Sequence, residues 1–325
     1  MTKMLINRRK FVAGSLLATS GLVGRAGPAF SQSFPTRPIT VIVPLSAGGS
    51  TDNLMRVAAP IVSKLLGQPI VVEARPGAAT AVGATLVAKA KPDGYTLLTH
   101  FGSMLMLPFV QKVEFDPIKD FSLIVGQHSF CTTAVVRADS KYKTINDLVG
   151  AAKANPGKIS VGTSGPTTGG HLTIVRFEER LGVKFLHVPY KGAEYNTALL
   201  GGHIEAIFAG PNWMGMVDGG QARALALFDD RRVPSYPDIP TASELGIPIV
   251  ERNSCLIAGP AGMSKEVITV LHDAFDAAHK TDEFQNALKK FLCQFWNPSG
   301  KELDDWATQK HEAYRKMALA LNLKP

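Results

Sequence analysis

The residues best suited to chemistry in this sequence lie in loops of small residues. One loop runs from Ser46 to Ser50 and another from Thr163 to Gly170. Each precedes a segment with helical spacing, so glycine would let the backbone approach a ligand while hydroxyls and helix-start amides donate hydrogen bonds. Donors of this kind suit an anion such as a carboxylate. A simple helix cap or a flexible surface loop is the structural alternative.

Catalytic and metal-binding motifs do not stand out. The run from Gly162 to Pro166 lacks the last glycine of a G-x-S-x-G nucleophile elbow. No glycine loop ends in a Walker lysine or completes a dinucleotide fingerprint, and no H-x-x-x-H or CxxC spacing predicts a metal site. His171, at the start of a predicted helix, is more typical of a structural residue than of a catalyst. We therefore expect binding rather than catalysis, with no cofactor and no metal.

An alternating pattern of strands and helices would position these loops. The β-branched run from Ile39 to Pro44 leads through the first loop into helical spacing from Asp52 to Leu66. The pattern repeats up to Thr99. A second block has helices over 145–155, 171–181 and 194–201 and strands over 159–162, 185–189, 204–208 and 222–227. Such alternation predicts an α/β fold with parallel sheets, in which ligands bind outside the carboxyl ends of the strands.

The N-terminus has the pattern of an export signal. Cations between Lys3 and Lys10 precede the uncharged run from Phe11 to Gly24, and small residues follow near Ser31. We expect a signal peptide over 1–31 and a periplasmic protein. The Arg8 and Arg9 pair fits a twin-arginine signal, and a general secretory signal is the alternative. Removing the five cations of this segment lowers the net charge from +8 to +3, which argues against a nucleic-acid partner.

The composition predicts a large ordered core. The 325 residues are 45% hydrophobic and 19% charged. No apolar stretch reaches the roughly 18 residues that a membrane span needs, so we expect the mature protein to be soluble. The three cysteines, Cys131, Cys255 and Cys293, are far apart in sequence and most simply interpreted as buried free thiols.

Taken in order, the motifs of the mature chain resemble the Bug family, the periplasmic solute-binding proteins of tripartite tricarboxylate transporters. The resemblance covers essentially the whole mature chain. Its carriers are Pro38-Ile39-Thr40-Val41-Ile42-Val43-Pro44, Gly48-Gly49-Ser50-Thr51-Asp52, Glu73-Ala74-Arg75-Pro76-Gly77-Ala78, Lys91-Pro92-Asp93-Gly94-Tyr95, Asn155-Pro156-Gly157-Lys158, Val188-Pro189-Tyr190-Lys191-Gly192, Leu199-Leu200-Gly201-Gly202-His203 and Pro237-Asp238-Ile239-Pro240-Thr241.

The resemblance implies a type II periplasmic binding protein fold, with two α/β lobes joined by crossover strands around a ligand cleft. Lobe 1 would span 32–130 and, with the C-terminal helices, 251–325. Lobe 2 would span 131–250. The implied function is capture of a small carboxylate and its delivery to membrane permease subunits by a monomer. Family binding positions, carried over one by one, are Ala47, Gly48, Gly49, Thr51, Asp52, Thr163, Ser164, Gly165, Thr168, His171, Tyr190, Phe208 and Ala209, with Lys191 and Gly192 nearby.

Two departures from the family pattern affect the expected ligand. Ala79-Thr80 follow Gly77-Ala78 where the family commonly has glycines, and Ala209 follows Phe208 where it usually has Asp. Apolar residues near cleft-side loops, Phe101, Met104 and Trp213, then suggest an apolar or aromatic carboxylate, with core packing as the alternative. The family layout also places Cys131 and Cys255 on the crossover strands, where a disulfide is conceivable.

Other functions remain open on the sequence alone. The same domain could serve as a sensor that reports a carboxylate to a membrane receptor. A periplasmic enzyme acting on a carboxylic acid is a further alternative, and it would predict a perturbed pKa at His171 or Asp52.

Overall fold

Two β-sheets, each covered by helices, make up the structure. The computed structural model describes residues 34–320 and 323–325, so the predicted signal peptide lies outside the described residues. Residues 34–325 form one compact unit. We call the first sheet with its helices lobe 1 and the second sheet with its helices lobe 2.

The chain builds lobe 1, crosses to lobe 2 and returns. The first part of lobe 1 contains β1 (Ile39–Val43), α1 (Ser50–Leu66), β2 (Ile70–Ala74), α2 (Ala81–Ala88), β3 (Thr96–Phe101) and β4 (Phe121–Cys131). Lobe 2 contains β5 (Thr133–Arg137), α3 (Ile145–Ala154), β6 (Ser160–Thr163), α4 (Gly169–Leu181), β7 (Leu186–Pro189), α5 (Glu194–Leu200), β8 (Ala206–Ala209), α6 (Met214–Asp218) and β9 (Ala222–Leu227). The return to lobe 1 contains β10 (Arg252–Pro260), α7 (Lys265–His279), α8 (Asp282–Lys290), β11 (Gln294–Phe295) and α9 (Gly300–Ala320).

Both sheets combine the predicted parallel strands with antiparallel ones. Sheet 1 has the order β11-β4-β10-β3-β1-β2, in which β1 pairs in parallel with β2 and β3, while β10 is antiparallel to β3 and β4. Sheet 2 has the order β7-β6-β8-β5-β9, in which β6 is parallel to β7 and β8, while β5 is antiparallel to β8 and β9. The antiparallel strands β5 and β10 are the ones that begin where the chain changes lobes.

The crossovers bring the carboxyl edges of the two sheets face to face. β4 runs parallel to β3, so its last residue, Cys131, lies at the edge where β1 and β3 end. The chain then enters β5 at Thr133, which pairs with Ala209 at the end of β8. It returns through Arg252, which pairs with Cys131. The loops after the parallel strands of both lobes therefore open toward the same space, where α/β folds bind ligands.

Each sheet has an apolar core on both faces, and a fifth cluster joins the lobes. Leu172 and Val175 of α4 pack with Tyr314 and Met317 of α9. Leu172 is fully buried, as is Leu105 of the 3₁₀ segment Gly102–Phe109 against which α9 also packs. The lobes therefore share buried apolar surface beside the crossovers.

Element ends differ from the predicted ones at two functional loops. α4 begins at Gly169 rather than His171, and α1 begins at Ser50 rather than Asp52. Glycine and serine are weak helix formers, so the periodic apolar pattern starts only after them. The short helix α8 was not predicted, because most of its nine residues are charged or polar and only Phe284 and Leu288 are buried.

The three cysteines are buried free thiols. In the register of β10 and β4, Cys131 lies opposite Arg252 and Cys255 lies opposite His128. Three residues along a strand separate the two positions by about 10 Å. A disulfide needs Cα atoms within about 7 Å. The two cysteines are therefore too far apart for the disulfide that the family layout suggested, and both are free thiols.

None of the helices in residues 34–320 and 323–325 combines the length and the hydrophobicity of a membrane span. The same residues contain no group of three or more His, Cys, Asp or Glu side chains that could hold a metal ion.

Three histidines are fully buried in lobe 1 and neutral. Burial lowers the pKa of His100 and of His279 to about 4, and burial together with the neighbouring His279 lowers the pKa of His128 to about 3. His100 packs edge-on against Phe121, and neither ring nitrogen has a hydrogen-bond partner in the described chain. Because these rings resist protonation only while folded, acid favours the unfolded chain.

We predict that the free energy of unfolding does not depend on these histidines above about pH 6.5, where histidine is neutral in the unfolded chain as well. It should fall as the pH drops from there toward 4. Replacing His100→Leu should flatten this dependence by about 1.4 kcal/mol per pH unit, since one buried ring no longer opposes protonation. Urea unfolding at pH 7.5, 6, 5 and 4.5 measures the slope. His203→Gln, at an exposed ring, serves as the control with the wild-type slope. An unchanged slope in His100→Leu would contradict the assignment.

Candidate ligand-binding site

The loop after β1 delivers an uncapped helix start to the cleft between the lobes. Gly48 has a φ of +83°, which favours glycine, and Gly49 is the N-cap of α1. Within the described residues, no side chain caps this helix. The first amides of α1 are therefore free to donate to a ligand, at the positive end of a 17-residue helix.

Asp52 shapes this loop from inside. Its side chain is 2% exposed and accepts hydrogen bonds from the Gly48 amide at 2.9 Å and from Arg56 at 3.0 and 3.1 Å. Hydrogen bonding and the negative charge of Asp52 raise the pKa of Arg56. The Asp52 carboxylate is thus already paired, and its hydrogen bond to Gly48 fixes the conformation of the loop before α1.

A buried hydrogen-bond chain fastens the first turn of α1 to the crossover strand β4. The Thr51 hydroxyl lies 3.3 Å from Nε2 of His128, and Nδ1 of His128 lies 3.1 Å from Oε1 of Gln127. The Gln127 amide nitrogen lies 3.4 Å from Nε2 of His279 in α7. With Gln127 donating to His279 and accepting from His128, Thr51 is left to donate to Nε2 of His128.

The loop after β6 presents a second uncapped helix start from lobe 2. Thr168 is the N-cap of α4, yet its hydroxyl donates to the Gly165 carbonyl at 2.8 Å and, in the described chain, does not cap the helix. Gly165 has a φ of +118°, which favours glycine. The hydroxyl of Thr163 lies 2.7 Å from Nε2 of His187. Ser164 is exposed at the turn.

His171 is held as a neutral donor in the first turn of α4. Its Nδ1 accepts the Thr167 amide at 3.0 Å, and its ring stacks on His187 with centroids 4.3 Å apart. Burial, followed by the neighbouring His187, lowers the pKa of His171 to about 4. The single ring proton near neutral pH is therefore on Nε2.

Two glycines let the start of α4 pack closely on its surroundings. A Cβ on Gly170 would clash with the Phe208 carbonyl at the end of β8. A Cβ on Gly169 would lie 2.5 Å from Nδ2 of Asn253 and 2.8 Å from the Thr132 hydroxyl, both at the crossovers. Phe208 and Ala209 are buried, so this strand end contributes its backbone to the arrangement.

The loops of the two lobes approach each other. The Ser46 hydroxyl lies 4.0 Å from the position of a Cβ on Gly192, across the cleft. Tyr190, in the same lobe 2 loop, donates its amide to the Thr163 carbonyl at 2.9 Å. Ala47 and Lys191 are exposed at this opening. The loop that contains Ala47 and the loop that contains Tyr190 and Lys191 therefore meet at this opening.

Three of the described helices have side-chain caps, whereas α2, α5 and α6 resemble α1 and α4 in having none. α3 has a capping box formed by Thr144 and Asp147, and α7 and α8 are capped by Ser264 and Thr281. What sets α1 and α4 apart is their position, because their starts follow parallel strands of different lobes at the edges that face each other, and positive helix ends favour an anion.

The model of the family described as the tripartite tricarboxylate transporter family receptor matches residues 54–323. The chain belongs to this family. It is 39% identical over 291 residues to the "UPF0065 protein in gbd 5'region" of Cupriavidus necator, which covers 88% of this chain and 89% of that protein.

Solved structures agree with this membership. The periplasmic binding protein BugD is 29% identical with a TM-score of 0.81, covering 90% of this chain and 99% of BugD. The structure of R. palustris Rpa4515 with adipate is 26% identical with a TM-score of 0.83, covering 90% of this chain and all of that one. The resemblance to the Bug family and the two-lobed fold are thereby confirmed.

The structure corrects the sequence analysis for three apolar residues and adds one polar residue that the sequence did not indicate. Phe101, Met104 and Trp213 are 3%, 0% and 1% exposed and belong to the core, as in the packing alternative. Asn253 lies beside Gly169 although 84 residues separate them in sequence. Its surroundings carry no glycine or hydroxyl motif, so no local signal identified it.

We predict that Gly170→Ala destabilises the receptor by about 1–3 kcal/mol, since the new methyl group meets a backbone carbonyl that cannot rotate away. Gly150→Ala in α3 is the matched control, because nothing lies within 4 Å of its Cβ position. That change should stabilise by up to about 1 kcal/mol through helix propensity. Urea unfolding measures both, and equal stabilities of the two variants would argue against the close packing.

Proposed function

We propose that this protein is a periplasmic solute-binding receptor that captures a small carboxylate between its lobes and delivers it to the membrane subunits of a tripartite transporter. The observation that carries the proposal is the pair of uncapped helix starts, α1 from lobe 1 and α4 from lobe 2, that open into one cleft. The residues that we propose for the two walls are Ala47, Gly48, Gly49, Thr51, Asp52, Thr163, Ser164, Gly165, Thr168, His171, Tyr190, Phe208 and Ala209.

The electrostatics of the cleft favour an acid. Each helix start carries the equivalent of about half a positive charge. The neutral His171 ring adds a donor at Nε2, and the Asp52 carboxylate is already compensated by Arg56. A carboxylate would therefore meet amide and hydroxyl donors without an unpaired negative charge beside it.

The ligand that we propose is an aliphatic acid. Rpa4515, a relative of the same fold, is described with adipate. The apolar residues that suggested an aromatic ligand are buried in the core and contribute no exposed apolar wall.

Capture would proceed by a hinge motion at the crossovers. We propose that lobe 1 spans 32–130 and 251–325, that lobe 2 spans 131–250, and that the closed form docks on the permease as a monomer. Export by the N-terminal segment would place it in the periplasm. The family is one of receptors, and we propose that the chain returns its ligand unchanged.

Thermal unfolding of the leaderless protein with a panel of acids tests the proposal. The panel holds aliphatic mono-, di- and tricarboxylates, amino acids and aromatic acids. A ligand at 100 times its dissociation constant should add about 2.7 kcal/mol to stability. Recovery of the acid unchanged after incubation separates a receptor from an enzyme. A panel in which no acid raises the melting temperature would reject carboxylate capture.

We predict that Gly49→Asp and Thr168→Asp stabilise the protein yet weaken ligand binding. An aspartate at either N-cap would itself accept the free amides, worth about a few tenths of a kcal/mol relative to glycine or threonine, and would repel a bound carboxylate. The backbone at Gly49, with φ of −71°, accepts a side chain. Calorimetric titration and urea unfolding measure the two effects.

The matched control is Thr281→Asp, which exchanges one capping residue for another on α8, away from the cleft. It should leave ligand affinity unchanged. If the aspartates at Gly49 and Thr168 stabilised the protein without loss of affinity, the helix starts would not be the binding groups.

A further inference from the structure

Lys310 of α9 is a partly buried cation without a carboxylate partner. Its Nζ lies 3.4 Å from the Arg252 carbonyl, and within residues 34–320 and 323–325 no carboxylate oxygen lies within 4.0 Å of it. The rings of Trp306 and Tyr314, one turn away on either side, lie 5.9 and 5.3 Å from the ammonium group. An ammonium has three hydrogens to donate, and this one has a single long hydrogen bond.

The other cations beside the crossovers are each paired. Arg176 binds Glu251 at 2.7 Å, Arg252 binds Asp229 through Nε at 2.9 Å, and Arg231 lies 3.5 Å from Asp230. Glu251 also accepts the Tyr314 hydroxyl at 3.3 Å. The local carboxylates are therefore engaged, and Lys310 is the cation left to be compensated.

Lys310 lies next to residues at the carboxyl edge of sheet 1 and at the crossovers. Its Cε is 3.2 Å from the Cβ position of Gly102, the residue that directly follows β3 at the carboxyl edge of sheet 1. The carbonyl that it contacts belongs to the peptide preceding Asn253, whose side chain touches Gly169 at the start of α4. The ammonium thus stands beside the crossover residue that contacts a ligand-binding helix start.

The surroundings of Lys310 favour an incoming negative charge. Burial lowers the pKa of Lys310, the charge of Glu251 raises it, and the charges of Arg176 and Arg252 lower it. A carboxylate arriving here would offset the loss of solvation, and the aromatic rings would keep the ammonium in place.

We propose that Lys310 recognises the second carboxylate of a dicarboxylate ligand and so selects diacids over monoacids. This inference rests on the proposed function. One carboxylate of the ligand is held by amides of the helix starts, and the other accepts hydrogen bonds from Nζ. The residue comes from the C-terminal helix and is absent from every binding motif in the sequence.

The test compares Lys310→Met, which keeps the length and apolar stem of the side chain, with Lys290→Met on the surface of α8. The probes are adipate with hexanoate and malate with 2-hydroxybutanoate, pairs that differ in the second carboxylate. We expect wild type to bind the diacid of at least one pair more tightly. Lys310→Met should lose about tenfold or more in affinity for that diacid and less than about threefold for the monoacid.

Lys310→Arg should retain part of the preference for the diacid, and Lys290→Met should retain all of it. An equal loss for both members of a pair, or no loss in a variant that unfolds like wild type, would overturn the role of Lys310. Wild type that binds acids without preferring diacids would also overturn it, while the proposed function would stand. Wild type that binds no acid in the wider panel would reject the proposed function itself.

Discussion

The antiparallel pair formed by β4 and β10 carries the chain out of lobe 1 and back. Because Cys131 and Arg252 face each other at its end, both crossings occur side by side, at the edge where the parallel strands of both sheets terminate. The register shift between Cys255 and Leu256 leaves Gln127 as an extra residue, so that Gln127 and His128 in succession reach α1 and α7. The same irregularity thus ties the first turn of α1 to the crossover strand.

A buried ionic group extends this connection to both lobes. Glu251, 1% exposed, binds Arg176 of α4 and Tyr314 of α9, while its backbone bonds to Phe228 and Thr132 at the crossovers. Burial and the adjacent Glu251 raise the pKa of Tyr314. Such a pair contributes little net stability, but breaking it leaves a buried charge, so it specifies one arrangement of the lobes. α4 is therefore held at its middle, through Arg176, by a residue at the crossovers.

Several features that cost stability lie in the loops where we propose that the ligand binds. α1 and α4 lack the side-chain caps that α3, α7 and α8 possess, and Gly169 and Gly170 occupy helix positions where glycine is unfavourable. Ala78, Ala79 and Thr80, beside the lobe 1 wall, all have positive φ, a strained conformation for residues with a Cβ. These departures stand at the loops after the strands, while the lobe 1 core has its own costly group in the ring of His100, which is buried and, within the described chain, unpartnered.

The sequence by itself determined the α/β alternation, the family and the donor-rich loops that we propose as the two walls. The spacing of hydrophobic residues indicates which segments bury one face. The runs of small residues around Gly48 and Thr163 indicate loops whose backbone amides and hydroxyls are accessible as donors. Only the tertiary structure decided that the Asp52 carboxylate is already hydrogen-bonded to Gly48 and Arg56. It also decided that Cys131 and Cys255 are not opposite each other, and that Trp213 belongs to a core. Crossover pairing brings Asn253 beside Gly169, and helix packing brings Lys310 beside Gly102 and the Arg252 carbonyl. Such contacts join residues far apart in the chain, and their geometry is set by strand register rather than by any local pattern.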